Sequence, residues 1–214
     1  MAPKTTTPAT GTGARAVTAD LARRLAAALA GPGRPSSDYD LNPAVALPPG
    51  RRLVPAAVLV GIVDMPGAPE VVLTKRSPRL RHHPGQVAFP GGKIDPGDAD
   101  AAGAALREAG EEVGLRRAQA EVIGTLPAHE TVTGFSVTPV VARIAPPFRP
   151  VAEEGEVSEV FTVPLAHVLA PARYRVEARL WRGQERRYFA VPYGPYYIWG
   201  ATARILRALA DRMA

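Results

Sequence analysis

The sequence contains no cysteine among its 214 residues, which removes several kinds of chemistry at once. Without thiols the chain cannot form disulfide bonds, bind zinc through thiolates or use a cysteine nucleophile. It also lacks a run of about eighteen apolar residues, the length that a membrane-spanning helix requires. No apolar segment with a cleavage site follows the first residues, which argues against a secretory signal. These absences predict a cytoplasmic protein that has no membrane partner.

Basic side chains outnumber acidic ones and give a formal net charge of +6. Such an excess favours an anionic ligand. Alanine, arginine and proline are frequent along the whole chain, so we give the charge little weight. A nucleic-acid partner would require a basic stripe interleaved with exposed aromatic residues, whereas the sequence has one short basic segment. We expect a small-molecule partner and no nucleic acid, and the sequence leaves a homodimer open.

The chain divides into three parts by composition. Residues 1–15 are poor in hydrophobic side chains and are predicted to be a disordered tail. Residues 16–49 combine an amphipathic helix, predicted over 17–30, with a proline-rich connector. Residues 50–214 are predicted to form one domain, because a chain of this length can bury a substantial core. No internal repeat is present.

The domain alternates short hydrophobic runs with turn signals and amphipathic segments. Strands are predicted over 54–63, 71–76, 121–126, 137–144 and 157–163, with a turn at Pro66-Gly67. A hairpin over 174–181 and 187–191 is expected to turn at Gly183. A short helix is predicted over 165–169 and a terminal helix over 198–212. Mixed strands with helices on both sides predict an α/β fold, an α/β/α sandwich.

The most informative segment is an acidic helix predicted between Asp98 or Asp100, as the N-cap, and Gly114, as the left-handed C-terminal residue. Its side chains Ala102, Leu106, Ala109 and Val113 form an apolar stripe, and three glutamates are placed roughly opposite: Glu108, Glu111 and Glu112. Like charges at this spacing repel and weaken a helix. A cation among the carboxylates would explain them, and hard oxygen ligands indicate magnesium or manganese. The alternative is a solvated acidic face.

Three neighbouring features accompany the acidic helix. Arg107 lies four residues before Glu111, so the two side chains can pair and fix a rotamer. Gly103 and Gly110 lower helix propensity, which close packing against a sheet would explain. The preceding segment FPGGK, residues 89–93, is a glycine-rich turn where backbone can approach a ligand. Strand, glycine turn and acidic helix in this order indicate a phosphate-and-metal site.

These residues resemble the Nudix box of the Nudix hydrolases, matched by Gly92, an acid at Asp98, and REAGEEVGL from Arg107 onward. Asp98 stands where glutamate is usual, eight residues rather than seven separate it from Arg107, and Ala109 is small for its apolar position. The resemblance covers residues 50–214 and implies a Nudix-type α/β/α sandwich with a mixed sheet. It also implies hydrolysis of a nucleoside diphosphate linked to another group, with Mg²⁺ or Mn²⁺ as cofactor.

Residues 73–92, LTKRSPRLRHHPGQVAFPGG, resemble the additional signature of the coenzyme A pyrophosphatase branch. The matching residues are Leu73, Thr74, Arg76, Ser77, Arg81, Gly85, Phe89, Pro90, Gly91 and Gly92. This implies cleavage of CoA or its acyl derivatives to 3′,5′-ADP and 4′-phosphopantetheine. A Nudix hydrolase for ADP-ribose, a dinucleotide, a damaged nucleotide or capped RNA is the alternative. An inactive Nudix-fold binding module is a third reading, disfavoured because such modules usually lose the box glutamates.

The family resemblance assigns roles to the box residues. Glu108 and Glu112 are expected to bind the metal directly, while Glu111 binds metal, orients a metal water or accepts a proton. The carbonyl of Gly92 is expected to add a backbone oxygen ligand. Arg107 is expected to orient these carboxylates without itself binding the metal. The alternative is that Arg107 forms an ordinary surface ion pair.

Further candidates lie outside the box. Glu156 is our choice for a downstream catalytic carboxylate among Glu153, Glu154, Glu156 and Glu159, and a solvated acidic loop is the alternative. The substrate-binding candidates are Lys75, Arg76, Arg79, Arg81 and His83, where the arginines suit phosphate contacts. Some of these side chains are equally explained as the solvated end of a strand. Four aromatic residues could either stack on an adenine or pack in the core. They are Tyr193, Tyr196, Tyr197 and Trp199.

Overall fold

The computed structural model describes residues 12–45, 47, 50–65, 68–181 and 183–214. The helices are α1 (Thr12–Ala30), α2 (Ala101–Val113), α3 (Leu165–Val168) and α4 (Ala201–Met213). The strands are β1 (Ser36–Ser37), β2 (Val54–Asp64), β3 (Pro69–Arg76), β4 (Val87–Ala88), β5 (Gly91–Lys93), β6 (Ala120–Thr125), β7 (His129–Glu130), β8 (Phe135–Ile144), β9 (Val157–Pro164), β10 (Arg175–Trp181) and β11 (Gln184–Ala190). One-turn 3₁₀ helices occupy Arg117–Gln119 and Pro171–Arg173. None of the described helices has the length and apolar character needed to span a membrane.

The described strands form one mixed sheet with a separate hairpin. The sheet order is β1-β7-β8-β2-β3-β4, with β5 also paired to β2, β6 to β8 and β9 to β3. Strands β2 and β8 run parallel from Val54 opposite Phe135 to Val63 opposite Ile144. Most other pairs are antiparallel, including the β10–β11 hairpin. The α/β fold class predicted from the sequence is confirmed.

Alternation along β2 divides the core between the two faces of the sheet. Leu59 packs in a cluster with Leu106 and Ala109 of α2. Its neighbour Val60 packs in a second cluster with Leu206 of α4. Helix α2 therefore covers one face, while α1, α3 and α4 contribute to the core on the other. This layering is the predicted α/β/α sandwich, and it places the acidic helix alone on its face of the core.

Helix α2 begins and ends as its sequence predicts. Asp100 is the N-cap and accepts a hydrogen bond from the Gly103 amide at 2.7 Å, while Gly114 has φ 68°. The explanation offered for Gly103 and Gly110 was wrong. An added Cβ at Gly103 would come no closer than 3.6 Å to Asp100 Oδ1, and one at Gly110 would lie 3.4 Å from the Leu115 carbonyl oxygen. Neither glycine is required by packing against the sheet.

The N-terminal region is more structured than its composition indicated. Helix α1 begins at Thr12, so residues 12–15 belong to the helix rather than to the predicted tail, and residues 1–11 lie outside the described residues. The connector adds the two-residue strand β1, which pairs in parallel with β7. Ser36 Oγ lies 2.9 Å from Nδ1 of the buried His129, whose Nε2 lies 3.2 Å from Asp38. A pairing this short leaves no periodic pattern, so the sequence did not reveal it.

Three further predictions concern the start of a helix and the positions of two turns. The terminal helix begins at Ala201 instead of residue 198. Gly200, which follows the buried Ile198 by two residues, has φ 64°, and a right-handed helix cannot include this backbone conformation. The predicted turn at Pro66-Gly67 falls outside the described residues. The hairpin turns at Gly183, which has φ 77°, as expected.

Gly91 is the residue that lets the glycine turn lie against β2. Its φ is 155°, and an added Cβ would overlap the Ala57 carbonyl oxygen and approach Val58 Cα to 2.6 Å. Both atoms belong to the backbone of a central strand and cannot rotate away. The turn therefore depends on the absence of a side chain at this position.

We expect Gly91→Ala to destabilise the fold by roughly 2–4 kcal/mol, because strained backbone adds to a clash with the sheet. Urea unfolding followed by circular dichroism measures the change. Gly97→Ala is the matched control, since Gly97 is exposed and nothing lies within 4 Å of its added Cβ. The control should stay within about 0.5 kcal/mol of the parent. Equal stability of the two variants would contradict the assigned role of Gly91.

Candidate active site

The glycine turn meets the acidic helix directly. The Gly91 amide donates to Glu112 Oε2 at 3.2 Å. An added Cβ on Gly92 would lie 2.5 Å from Cδ of Glu108. Two glutamates of α2 thus lie against a backbone segment that has no side chains to keep them away. The predicted arrangement of turn and helix is present as a physical contact.

The three box glutamates differ in their exposure. Glu112 is 5 % exposed and belongs to the buried part of α2, Glu108 is partly buried, and Glu111 is exposed. The sequence placed all three roughly opposite the apolar stripe, and for Glu112 this was wrong. Glu112 is three residues beyond Ala109 and next to Val113, so it lies at the border of the stripe and faces the sheet. A carboxylate in this position requires compensation that solvent does not provide.

Burial changes the acidity of the two inner glutamates. The pKa of Glu112 is raised to about 7, chiefly by burial and to a smaller extent by the charges of Glu108 and Glu156, while the Gly91 amide and Arg76 act in the opposite direction. Burial also raises the pKa of Glu108, against the opposing effect of Arg107. The site thus holds negative charge that the protein itself only partly stabilises.

Arg107 connects the acidic helix to the loop that precedes it. Its Nε and Nη2 atoms donate to the two carboxylate oxygens of Asp98, each at 3.0 Å. Its Nη1 donates to Glu108 at 3.0 Å and to Glu111 at 3.2 Å, which confirms the predicted pair with Glu111. The hydrogen bond from Arg107 is the main reason that the pKa of Asp98 lies below its ordinary value. Asp98 therefore holds the guanidinium that in turn positions Glu108 and Glu111.

A loop far along the chain packs on the C-terminal end of α2 and is held there by backbone hydrogen bonds. The Val151 amide donates to the Val113 carbonyl at 3.1 Å, and the Glu153 amide to the Glu112 carbonyl at 3.0 Å. The carbonyl of Glu156 accepts from the Ser77 amide at 2.8 Å. These bonds bring Glu156 to the glutamates and to the start of the basic segment. Main-chain bonds of this kind leave no residue signal, so sequence reasoning missed the docking although it had selected Glu156.

The basic segment does not converge on one place. Lys75 and Arg76 are consecutive on β3, so their side chains leave opposite faces of the sheet. Arg76 is close enough to Glu112 to affect its pKa, and its buried Nε has no hydrogen-bond partner among the described residues. Lys75 lies opposite Glu159 of β9. Three further candidates are exposed in the loop that follows: Arg79, Arg81 and His83.

Two of the four aromatic candidates, Tyr193 and Tyr196, pack on the face of the sheet that is opposite to α2. Tyr196 stacks on Phe161 with ring centroids 3.5 Å apart, and its hydroxyl donates to Glu159 at 2.5 Å. Tyr193 contacts His167 edge to face at 4.9 Å. Phe161 belongs to the core cluster that includes α4. For Tyr193 and Tyr196 the structure supports core packing rather than a platform for adenine.

The donor set fits a hard divalent cation, although the side chains have not converged into a cluster. No three carboxylate or histidine side chains within the described ranges form a ready-made metal site. A buried carboxylate with a raised pKa next to a second partly buried one is nevertheless a group that positive charge would stabilise in its ionised form. Glu108 and Glu112 offer the oxygen ligands that Mg²⁺ and Mn²⁺ prefer.

Gly92 has a more restricted position than the sequence indicated. It lies opposite Ala57 between two flanking backbone bonds, from Leu59 to Pro90 at 2.8 Å and from Ile94 to Pro55 at 3.1 Å. The alternation of an antiparallel ladder then makes Ala57 and Gly92 a hydrogen-bonded pair. A metal ligand role for the Gly92 carbonyl would therefore use the second lone pair of an oxygen that already serves the sheet.

We expect the metal-free protein to lose stability as pH rises from about 4.5 to 7. Over this range folded Glu112 keeps a proton that the unfolded chain has lost, so the free energy of unfolding falls and then stays low above pH 7. The loss is on the order of 3 kcal/mol, from about 1.4 kcal/mol per pH unit. Urea unfolding with a chelator at pH 5 and pH 8 measures it. Glu112→Gln should flatten the profile, and an unchanged profile in that variant would contradict the assignment.

A protein-family profile and several known proteins are similar to this chain. The family profile described as the NUDIX domain matches residues 52–181. A relative named as an uncharacterized Nudix hydrolase NudL, from Klebsiella pneumoniae subsp. pneumoniae, is 51% identical over 155 residues, which are 72% of this chain and 80% of the relative. The protein of that name from Escherichia coli K12 is 51% identical over 157 residues, with the same coverage. The crystal structure of the Nudix hydrolase RenU from M. smegmatis shares 32% identity over 54% of this chain and 73% of its own, with a TM-score of 0.47. The family profile and the curated relatives together show that the chain belongs to the Nudix hydrolase family.

Proposed function

We propose that this protein hydrolyses the pyrophosphate bond of coenzyme A or of its acyl derivatives in a reaction that depends on a divalent metal. Water bonds to one phosphorus, the phosphoanhydride bond breaks, and the products are 3′,5′-ADP and (acyl-)4′-phosphopantetheine. The coarser conclusion, a Nudix hydrolase, follows from family membership. The choice of substrate rests on residues 73–92.

One observation supports this choice above the others. Residues 73–92 begin on β3, pass through the basic loop and end at the glycine turn that donates to Glu112. Within this segment the Arg76 amide donates to the Gln86 carbonyl at 2.9 Å, and the Gly85 amide to the Arg76 carbonyl at 3.1 Å, so the loop closes on itself. The segment that resembles a CoA signature is therefore in direct contact, through the glycine turn, with a carboxylate of the Nudix box.

In this proposal the acidic residues bind the metal or accept a proton, and Arg107 positions them. Glu108 and Glu112 hold a Mg²⁺ or Mn²⁺ ion, with Glu111 and the Gly92 carbonyl as further ligands. When bound, such an ion offsets the negative charge that develops on phosphoryl oxygens. Arg107 keeps Glu108 and Glu111 in place through its bonds to Asp98. Glu111 and Glu156 are the candidates to accept a proton from the attacking water.

The basic side chains supply affinity and selectivity in this proposal. Arg76 would contact a substrate phosphate bound beside Glu112, because its charge acts on that carboxylate and its buried Nε has no hydrogen-bond partner among the described residues. Arg79, Arg81 and His83 are exposed on the loop and available to a second phosphate, such as the 3′-phosphate of CoA. Lys75 leaves the opposite face of the sheet, and a contact to substrate would require the ligand to extend around the strand end.

We expect Glu112→Gln to lower kcat by on the order of 10³ or more while the protein remains folded. Metal charge contributes several kcal/mol at the transition state, and each 1.36 kcal/mol corresponds to tenfold in rate. Steady-state hydrolysis in Mg²⁺ measures the effect, and circular dichroism verifies the fold. Glu121→Gln serves as the control, because Glu121 is an exposed carboxylate on β6. Near-parental activity of Glu112→Gln would remove it from the metal site.

We expect CoA to be a better substrate than dephospho-CoA by about 10–150-fold in kcat/KM, if an arginine contacts the 3′-phosphate. Chromatographic identification of products from CoA, dephospho-CoA, ADP-ribose and dGTP tests this with Mg²⁺ and with Mn²⁺. Arg79→Ala and Arg81→Ala should reduce the discrimination, whereas Arg117→Ala, an exposed arginine away from the loop, should not. Cleavage of ADP-ribose or dGTP with CoA untouched would refute the CoA assignment and leave the family assignment standing.

A further inference from the structure

The β10–β11 hairpin has one covered edge and one open edge. Asn42 contacts the outer edge of β11 at Arg187, accepting from its amide at 2.8 Å and donating to its carbonyl at 2.9 Å. Ala190 of β11 also forms a bridge with Trp199. Within the described part of the chain, no strand pairs with the outer edge of β10. An open strand edge presents unpaired amide and carbonyl groups to another chain.

The direction of these groups follows from the Asn42 contacts. Because the amide and carbonyl of Arg187 point outward to Asn42, Arg187 and its partner Ala178 form a non-hydrogen-bonded pair within the hairpin. The amide and carbonyl of Ala178 therefore point to the open edge. By the same alternation those of Val176 and Leu180 point there too. The open edge offers three consecutive bonding positions.

The side chains at these positions are apolar and exposed. Val176 is 52% exposed and Leu180 is 77% exposed, and Ala178 between them is also exposed. They share one face of the hairpin because side chains alternate along a strand. Apolar side chains aligned along an unpaired edge are a feature that soluble proteins usually avoid unless the edge has a partner.

Two charged residues of β10, Glu177 and Arg179, lie on the opposite face and contact aromatic side chains. Arg179 lies over the Trp199 ring with its guanidinium carbon 4.8 Å from the centroid. The Tyr197 hydroxyl donates to the Glu177 carboxylate. Both side chains are thus oriented before any partner arrives, which lowers the entropy cost of a contact.

We propose that β10 pairs with β10 of a second copy of this chain, antiparallel, about a two-fold axis at Ala178. In this register Val176 faces Leu180 of the second copy, and each exchanges both backbone hydrogen bonds with it. Glu177 then faces Arg179 of the second copy in a non-hydrogen-bonded pair, where side chains approach most closely. The strand is therefore complementary to itself in both hydrophobicity and charge.

The charges also select this register over its neighbours. A two-fold axis at Glu177 would oppose Glu177 to its own copy and Arg175 to Arg179, and an axis at Arg179 would oppose that arginine to itself. Like charges directly opposite each other destabilise a sheet. Because a strand edge buries less area than a standard interface, the dimer should be weak, with Kd of roughly 10⁻⁵ to 10⁻³ M.

Sedimentation equilibrium of the full chain from about 10 μM to 1 mM tests the proposal, over the range in which such an interface should associate. The wild type should show a monomer–dimer equilibrium that weakens with salt. Glu177→Arg and Arg179→Glu each turn both cross-strand ion pairs into like-charge pairs, so each should raise Kd by about tenfold or more. Glu185→Arg is the matched control, because Glu185 is an exposed charged residue on β11 and not on the open edge of β10. This variant should dimerise like the parent. A wild type that stays monomeric at 1 mM overturns the proposal.

Mixing the two variants separates pairing from damage to the hairpin. In a mixed dimer Arg at position 177 faces Glu at position 179, and Arg179 faces Glu177, so both ion pairs are restored. An equimolar mixture should dimerise at concentrations where each variant alone is monomeric. A mixture that stays monomeric, or single variants that dimerise as well as the parent, would show that this edge and register are not the contact.

Discussion

The contact between the glycine turn and Glu112 is the constraint on which the site depends. Gly91 can approach β2 because it has no side chain, and in doing so it presents its amide to a carboxylate that is 5 % exposed. The amide satisfies one oxygen of Glu112 but does not neutralise its charge, and burial holds its pKa near 7. Any residue larger than glycine at position 91 would clash with the backbone of β2, so the turn that presents this amide would have to shift.

Arg107 reduces the repulsion among the other carboxylates of the site. A single guanidinium contacts four carboxylates, so four negative charges share one positive charge: Asp95, Asp98, Glu108 and Glu111. Asp98 departs from the usual box in residue type and spacing, yet it reaches both nitrogens on its side of Arg107. The shorter side chain with one extra intervening residue therefore still positions the arginine. Glu112 is outside this network, which leaves it as the least compensated carboxylate of α2.

Periodicity predicted the elements that are long and half-buried. The strands β2, β3, β8 and β9, the helix α2 with both of its ends, and the hairpin turn at Gly183 all follow from local patterns. The same patterns placed Glu112 opposite the apolar stripe of α2, which was wrong. A helical wheel gives the angle of each side chain around the helix axis, but it does not show how much of the helix surface the sheet covers. They also missed β1 and the docking of residues 151–156, since both depend on main-chain bonds between distant segments. The separation of Lys75 from Arg76 was available from strand alternation alone.

The end of the helix at which the acids lie is itself informative. Glu111 and Glu112 occupy the last turn of α2, where the helix dipole is negative and carboxylates are unfavourable. The docked loop brings Glu153, Glu154 and Glu156 to the same end, held by the Glu112 and Val113 carbonyls that the helix leaves free. The helix dipole and mutual repulsion act against ionised carboxylates at this end whether or not they are solvated. Burial adds a cost for Glu112 that a solvated acidic face does not carry. This cost distinguishes Glu112 from an ordinary surface acid, and a positive charge bound beside it would offset the cost.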